Sequence, residues 1–117
     1  MSEVFTTPVS AAFFPVTVKA VSQITGVANS IETTILTYTS LGDETISDIF
    51  VSGTSYARFN IYLNTVLSFV LRSGPSRQAN FSIQRPLQLS TGDVVDVKVI
   101  HYYTDATDDF EATLLGV

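Results

Sequence analysis

The 117-residue chain contains no cysteine, no tryptophan, a single methionine and a single histidine. Without a thiol it can form no disulfide framework, no thiolate metal site and no cysteine nucleophile, and its redox compartment is left open. His101 is therefore the only side chain whose ordinary pKa lies near neutrality. One imidazole among carboxylates is a poor zinc set. Charge is scarce as well: Asp, Glu, Lys and Arg make up 15% of the chain, against about 25% in an ordinary domain. The net charge of −5 disfavours non-specific attraction to nucleic acid or to an anionic membrane. No apolar run approaches the roughly 18 residues of a membrane-spanning helix. Met1-Ser-Glu-Val lacks the basic start of a secretory signal, so the chain is expected to be made in the cytosol and untargeted. The six glycines stand singly at turns or ends, which removes any phosphate-cradling loop.

What remains is apolar and β-branched. Hydrophobic residues make up 45% of the sequence, enough for a self-sufficient core in one domain of this length. A lean charged surface also points to contacts with other protein. The clearest architecture lies in residues 86–100. Leu87 and Leu89 alternate with Gln88, Gly92-Asp93 supplies a tight turn, and Val95, Val97 and Val99 alternate with Asp96 and Lys98. This period-2 pattern is that of a half-buried sheet, and it reads as a hairpin. Gly accepts positive φ and Asp bonds nearby backbone, which suits both to the turn.

The same reading applied along the chain predicts strands over 16–24, 31–39, 45–51, 56–64, 66–72, 79–85, 100–104 and 110–115, with turn residues between them. In 16–24, Val16, Val18 and Ala20 share one face. In 56–64, Ala57, Phe59, Ile61 and Leu63 face the core, whereas Tyr56, Arg58, Asn60, Tyr62 and Asn64 face water. In 66–72, Leu67, Phe69 and Leu71 are expected inward, and Pro86 marks a strand end or edge. Residues 16–117 are thus expected to form one all-β domain, an antiparallel two-sheet β-sandwich of jelly-roll or immunoglobulin-like topology. Residues 1–15, with prolines at 8 and 15, fit an edge strand of that sheet or an extended arm whose Phe13-Phe14 pair docks on a neighbour.

The sequence offers chemistry little to work with. His101 has no recognisable nucleophile or orienting acid beside it and reads as a packed or surface strand residue. Asp105, Asp108, Asp109 and Glu111 form an acidic hairpin tip. It could offer oxygens to calcium but matches no EF-hand spacing. No catalytic residue, cofactor or metal is expected. Arg58, Arg72, Arg77 and Arg85 make a basic middle, and six acidic residues crowd the last 25 positions. Those charges can pair within the domain or across a subunit interface, for which arginine's bidentate geometry is suited. Tyr56, Tyr62, Tyr102 and Tyr103 fit an interface or a sugar-stacking platform equally.

Three segments, Phe59-Asn-Ile-Tyr-Leu-Asn64, then Arg85-Pro-Leu-Gln-Leu-Ser-Thr-Gly-Asp-Val-Val-Asp-Val-Lys-Val99, then Asp109-Phe-Glu-Ala-Thr-Leu-Leu-Gly116, resemble small all-β structural proteins of tailed bacteriophage virions. The Leu-x-Leu-x-x-Gly-Asp-x-Val element also resembles the equivalent element of jelly-roll modules, including trimeric tumour-necrosis-factor-like ones. The resemblance implies a non-enzymatic virion protein, a capsid decoration or cement protein, or a neck or fibre component. Such a protein would be made in the host cytoplasm and would act as a dimer or trimer on partners such as the major capsid protein, with no nucleic-acid or membrane contact. Phe13, Phe14, Tyr56, Arg58, Tyr62, Arg72, Arg77 and Arg85 are the expected interface residues. The alternative is a carbohydrate- or receptor-binding sandwich of fibre type, against which the absence of tryptophan counts.

Overall fold

The computed structural model describes residues 16–73, 79–102 and 108–117, with backbone alone for 73, 79–85 and 108. Eight strands follow in chain order: β1 (Thr17–Val27), β2 (Thr33–Thr39), β3 (Glu44–Gly53), β4 (Ala57–Leu63), β5 (Val66–Ser73), β6 (Ala79–Leu89), β7 (Val94–Ile100) and β8 (Asp108–Gly116). They form two four-stranded sheets, ordered β1-β8-β3-β6 and β2-β7-β4-β5, and every pairing is antiparallel. Only β4 and β5 are consecutive strands paired in one sheet; each other connection passes to the opposite sheet. An immunoglobulin-type sandwich keeps several consecutive pairs side by side. This strand order is instead that of the eight-stranded jelly roll.

The core lies between the sheets, where alternation places it. Phe59, Ile61, Val95, Val97 and Val99 meet Ile46, Ile49, Val51, Phe110, Ala112 and Leu114, all essentially without solvent exposure. Phe59 and Phe110 meet edge to face with centroids 5.8 Å apart, the geometry that aromatic quadrupoles favour. Phe110 pairs in register with Gly53, and a Cβ at Gly53 would enter the Phe110 ring. Glycine is thus the residue that lets the ring lie on the backbone.

Several expectations change in three dimensions. Residues 86–100 are not a hairpin: β6 belongs to the first sheet and β7 to the second. Their leucines and valines therefore enter the core from different sheets instead of pairing side by side. Alternation marks a half-buried strand but not its hydrogen-bonded neighbour, which explains the misreading. The turn chemistry is as expected, with Gly92 at φ 91° and the Asp93 carboxylate accepting from the Ser90 amide at 2.8 Å. Pro86 interrupts edge strand β6 without ending it, and the pairing with β3 shifts there between Ile46/Leu87 and Asp48/Ser82.

Two β-bulges alter which side chains point inward. In β5, Tyr62 pairs with Leu67 and Ile61 with Phe69, so Ser68 is the extra residue. Leu67 then lies on the outer face, 45% exposed, and not in the core. In β1, Val18 pairs with Leu115 and Ala20 with Leu114, so Lys19 is extra and Val18 faces outward while Ala20 packs on the core. A one-residue slip exchanges the faces of a strand. Strand β7 ends at Ile100, short of the expected 104. The carbonyl of His101 there accepts from the Ser30 amide at 2.6 Å, and its ring Nε2 lies 2.7 Å from the Val27 carbonyl. A carbonyl can only accept, so Nε2 carries the hydrogen. His101 is a buried core residue that ties β7 to the end of β1.

Candidate interaction faces

On the outer face of the second sheet, register lays residues out in rows. Thr34, Lys98, Asn60 and Val70 form one row, and Thr37, Asp96, Tyr62 and Leu67 the next. Toward the end that carries the β1–β2 and β3–β4 connections follow Ile100, Arg58 and Arg72. Alternation in β4 is what turns Arg58, Asn60 and Tyr62 outward together.

These side chains form a connected network. The Arg58 Nε donates to Asn60 Oδ1 at 2.8 Å. Asn60 Nδ2 and the Tyr62 hydroxyl each donate to Glu32 Oε2 at 2.7 Å. Lys98 Nζ stands 4.9 Å from the centre of the Tyr62 ring, a cation–π distance. The bonds from Asn60 and Tyr62, with the nearby Lys98 and Arg58, outweigh partial burial and hold the Glu32 carboxyl below its ordinary range. The bond to Glu32, with some burial, raises the Tyr62 hydroxyl. At neutral pH Glu32 is thus a carboxylate and Tyr62 a phenol.

The outer face of the first sheet has a different character. Val18, Leu115 and Asp48 form one row, Val21, Thr113 and Phe50 a second, and Gln23, Glu111 and Ser52 a third. Val18 and Val21 are each 58% exposed, and Leu115 and Phe50 are partly exposed.

Of the expected interface residues, the structure brings Arg58, Tyr62 and Arg72 onto one face, with Arg58 and Arg72 directly opposite each other. Tyr56 is exposed immediately before β4. Arg85 falls on β6 of the other sheet, so the basic middle does not gather on one face. Phe13, Phe14, Arg77, Tyr103 and Asp105 lie outside the described residues. In the acidic segment, Asp109 Oδ1 is 3.4 Å from the Gly26 amide. Glu111 lies on the outer face of the first sheet, across the sandwich from Arg58 and Arg72. Among the described residues, no group of three or more His, Asp or Glu is placed to hold a metal ion.

Sequence reasoning missed Glu32, which reaches Asn60 and Tyr62 from a connection about thirty positions away, and it passed over Lys98. It also missed Glu44, at the opposite end of the sandwich. Glu44 accepts from the Tyr38 hydroxyl at 2.7 Å and from Ser40 Oγ at 2.6 Å, and Lys19 Nζ lies 3.3 Å away. Only the polar face of β4 was visible locally. Compared with known proteins, the chain matches no protein-family model and no curated protein sequence.

Proposed function

We propose that this protein is a non-enzymatic structural protein that acts by protein–protein contact, with the capsid decoration or cement protein of a tailed phage as its specific form. The observation that carries the reading is the outer face of the first sheet, where Val18, Val21, Phe50 and Leu115 extend across three adjacent strands. A solvent-facing side of an antiparallel sheet is ordinarily polar, and this apolar patch, set among Asp48, Thr113, Gln23, Glu111 and Ser52, supports burial against protein. The jelly-roll topology adds fold-level analogy, since such sandwiches recur in viral capsid proteins. The experiment compares co-sedimentation of the wild-type chain and a Val18→Lys/Val21→Lys variant with purified phage heads lacking decoration. Saturable binding lost in the variant is the expected result; no binding by the wild type, or equal binding by both, rejects the reading.

A second reading, a glycan- or receptor-binding module, is favoured by Tyr56 and Tyr102, 61% and 68% exposed. Both stand at one end of the second sheet, Tyr56 just before β4 and Tyr102 just after β7. Jelly rolls also serve as lectin domains. Tyr62 is less suited to stacking, because Lys98 already occupies its neighbourhood. A glycan array probed with wild type and Tyr56→Ala separates the two readings.

A further inference from the structure

Resting on the reading of the first sheet's outer face as a protein-contact surface, we infer that its occupant is the Phe13-Phe14 segment of a second copy, so that two chains exchange their first residues about a two-fold axis. Apolar exposure on this side of the molecule begins where the chain enters the sheet. Thr17 pairs with Gly116, and just beyond that pair Val16 and Val117 are 52% and 41% exposed. Val18 and Leu115 form the next outward row, and Val21 and Phe50 flank Thr113 in the one after.

Residues 1–15 join the sheet at the rim of this patch. They lie outside the described residues, but their sequence matches the patch in character, with three of the chain's eight phenylalanines and a single charge, Glu3. An apolar segment and an apolar face that share a rim both leave water by meeting.

The hinge selects another copy over the same chain. Thr17 is already held in the sheet by Gly116, so a chain returning Phe13-Phe14 onto its own face must reverse within Pro15 and Val16. Proline fixes its own φ and drives the residue before it toward extended backbone, which directs Phe14-Pro15 away from the strand it leads into. A short hinge that resists folding back favours exchange of the segment between copies. Phe14 and Phe13 stand two and three residues before Val16, roughly 7–10 Å of extended chain. The second copy must therefore present its patch at the same end of the sandwich. A two-fold axis there gives each phenylalanine pair the other copy's patch and makes the contact twice.

The test uses the full chain. Light scattering is expected to give the wild type twice its 12.7 kDa monomer mass. Phe13→Ser/Phe14→Ser and, separately, Val18→Lys/Val21→Lys are each expected to halve that mass. The absence of native cysteine permits a second measurement that serves if either variant fails to fold. A Phe14→Cys chain is unfolded and refolded with a tagged chain carrying Val16→Cys, Val18→Cys or Val21→Cys, then mildly oxidised. At least one pair is expected to close a disulfide between the two chains, whereas Leu67→Cys, on the other sheet, does not. A wild type of 12.7 kDa at every concentration, a dimer that survives the Phe13→Ser/Phe14→Ser change, or no disulfide between chains overturns the exchange. A Phe14→Cys/Val18→Cys chain that closes its disulfide at monomer mass also overturns it, by giving the face to the chain's own first residues. A dimer that meets these expectations but binds no phage heads keeps the exchange and rejects only the decoration reading; a monomer that binds heads through Val18 and Val21 does the reverse.

Discussion

Replacing Glu44 by glutamine tests the polar staple that joins the two sheets at one end of the sandwich. Glu44 begins β3 in the first sheet, Tyr38 belongs to β2 in the second, and the Glu44 side chain is only 10% exposed. A hydrogen bond to a charged group contributes about 1.5–3 kcal/mol, the upper figures applying where water is excluded. Glutamine keeps one carbonyl acceptor, so it retains one hydroxyl bond in weaker, neutral form and gives up the other. The Lys19 pair adds little, because that lysine is 23% exposed and solvent screens it. The net loss is about 2 kcal/mol, which for a domain of this size lowers Tm by about 8 °C.

The pH dependence sharpens this test. Burial pushes the Glu44 carboxyl up, but the bonds from Ser40, Tyr38 and Lys19 together outweigh it and hold the carboxyl below its ordinary value of 4.5. Burial first, and then the bond to Glu44, pushes the Tyr38 hydroxyl up to about 12, so Tyr38 stays a donor throughout. A depressed carboxyl contributes stability that is complete above its unfolded pKa and is lost as pH falls through the folded value. Calorimetry of wild type and Glu44→Gln is therefore expected to show the full Tm gap at neutral pH and a gap that narrows in acid. Equal melting temperatures at neutral pH, or a gap that persists unchanged in acid, would refute the staple.

Two further substitutions probe the fold from other sides. His101→Leu removes the donor to the buried Val27 carbonyl and is expected to cost about 2 kcal/mol, seen as a lower urea midpoint at constant slope; an unmoved midpoint means the bond contributes nothing. Thr65→Gly is expected to stabilise, because Asn64 and Thr65 sit at φ 50° and 70°, a turn that favours Asn-Gly and strains a β-branched residue. The gain, about 1 kcal/mol after glycine's own entropy cost, should raise Tm, and a fall would show that Thr65 is not strained.

Much of the strand pattern was legible in the amino-acid order because burial on one side of a sheet imposes period two on the residues themselves. Ala57, Phe59 and Ile61 against Arg58 and Tyr62, and Val95, Val97 and Val99 against Asp96 and Lys98, declare their faces without any knowledge of neighbours. The bulges at Lys19 and Ser68 escaped this reading, since an extra residue shows only against the partner strand that lacks it. Leu67 was therefore assigned to the wrong face, and Val18 was grouped with Ala20 although the two point opposite ways.

The chain's order of residues by itself determined an all-β sandwich, its core alternation and the Gly92-Asp93 turn. Only the tertiary structure decided that β6 and β7 lie in opposite sheets, that Glu32 reaches Asn60 and Tyr62, and that Arg58 stands opposite Arg72 while Arg85 does not. The physical reason is range. Alternation and turn preference act between residues a few positions apart, whereas sheet partnership and polar networks join residues dozens of positions apart, where no local pattern records the pairing.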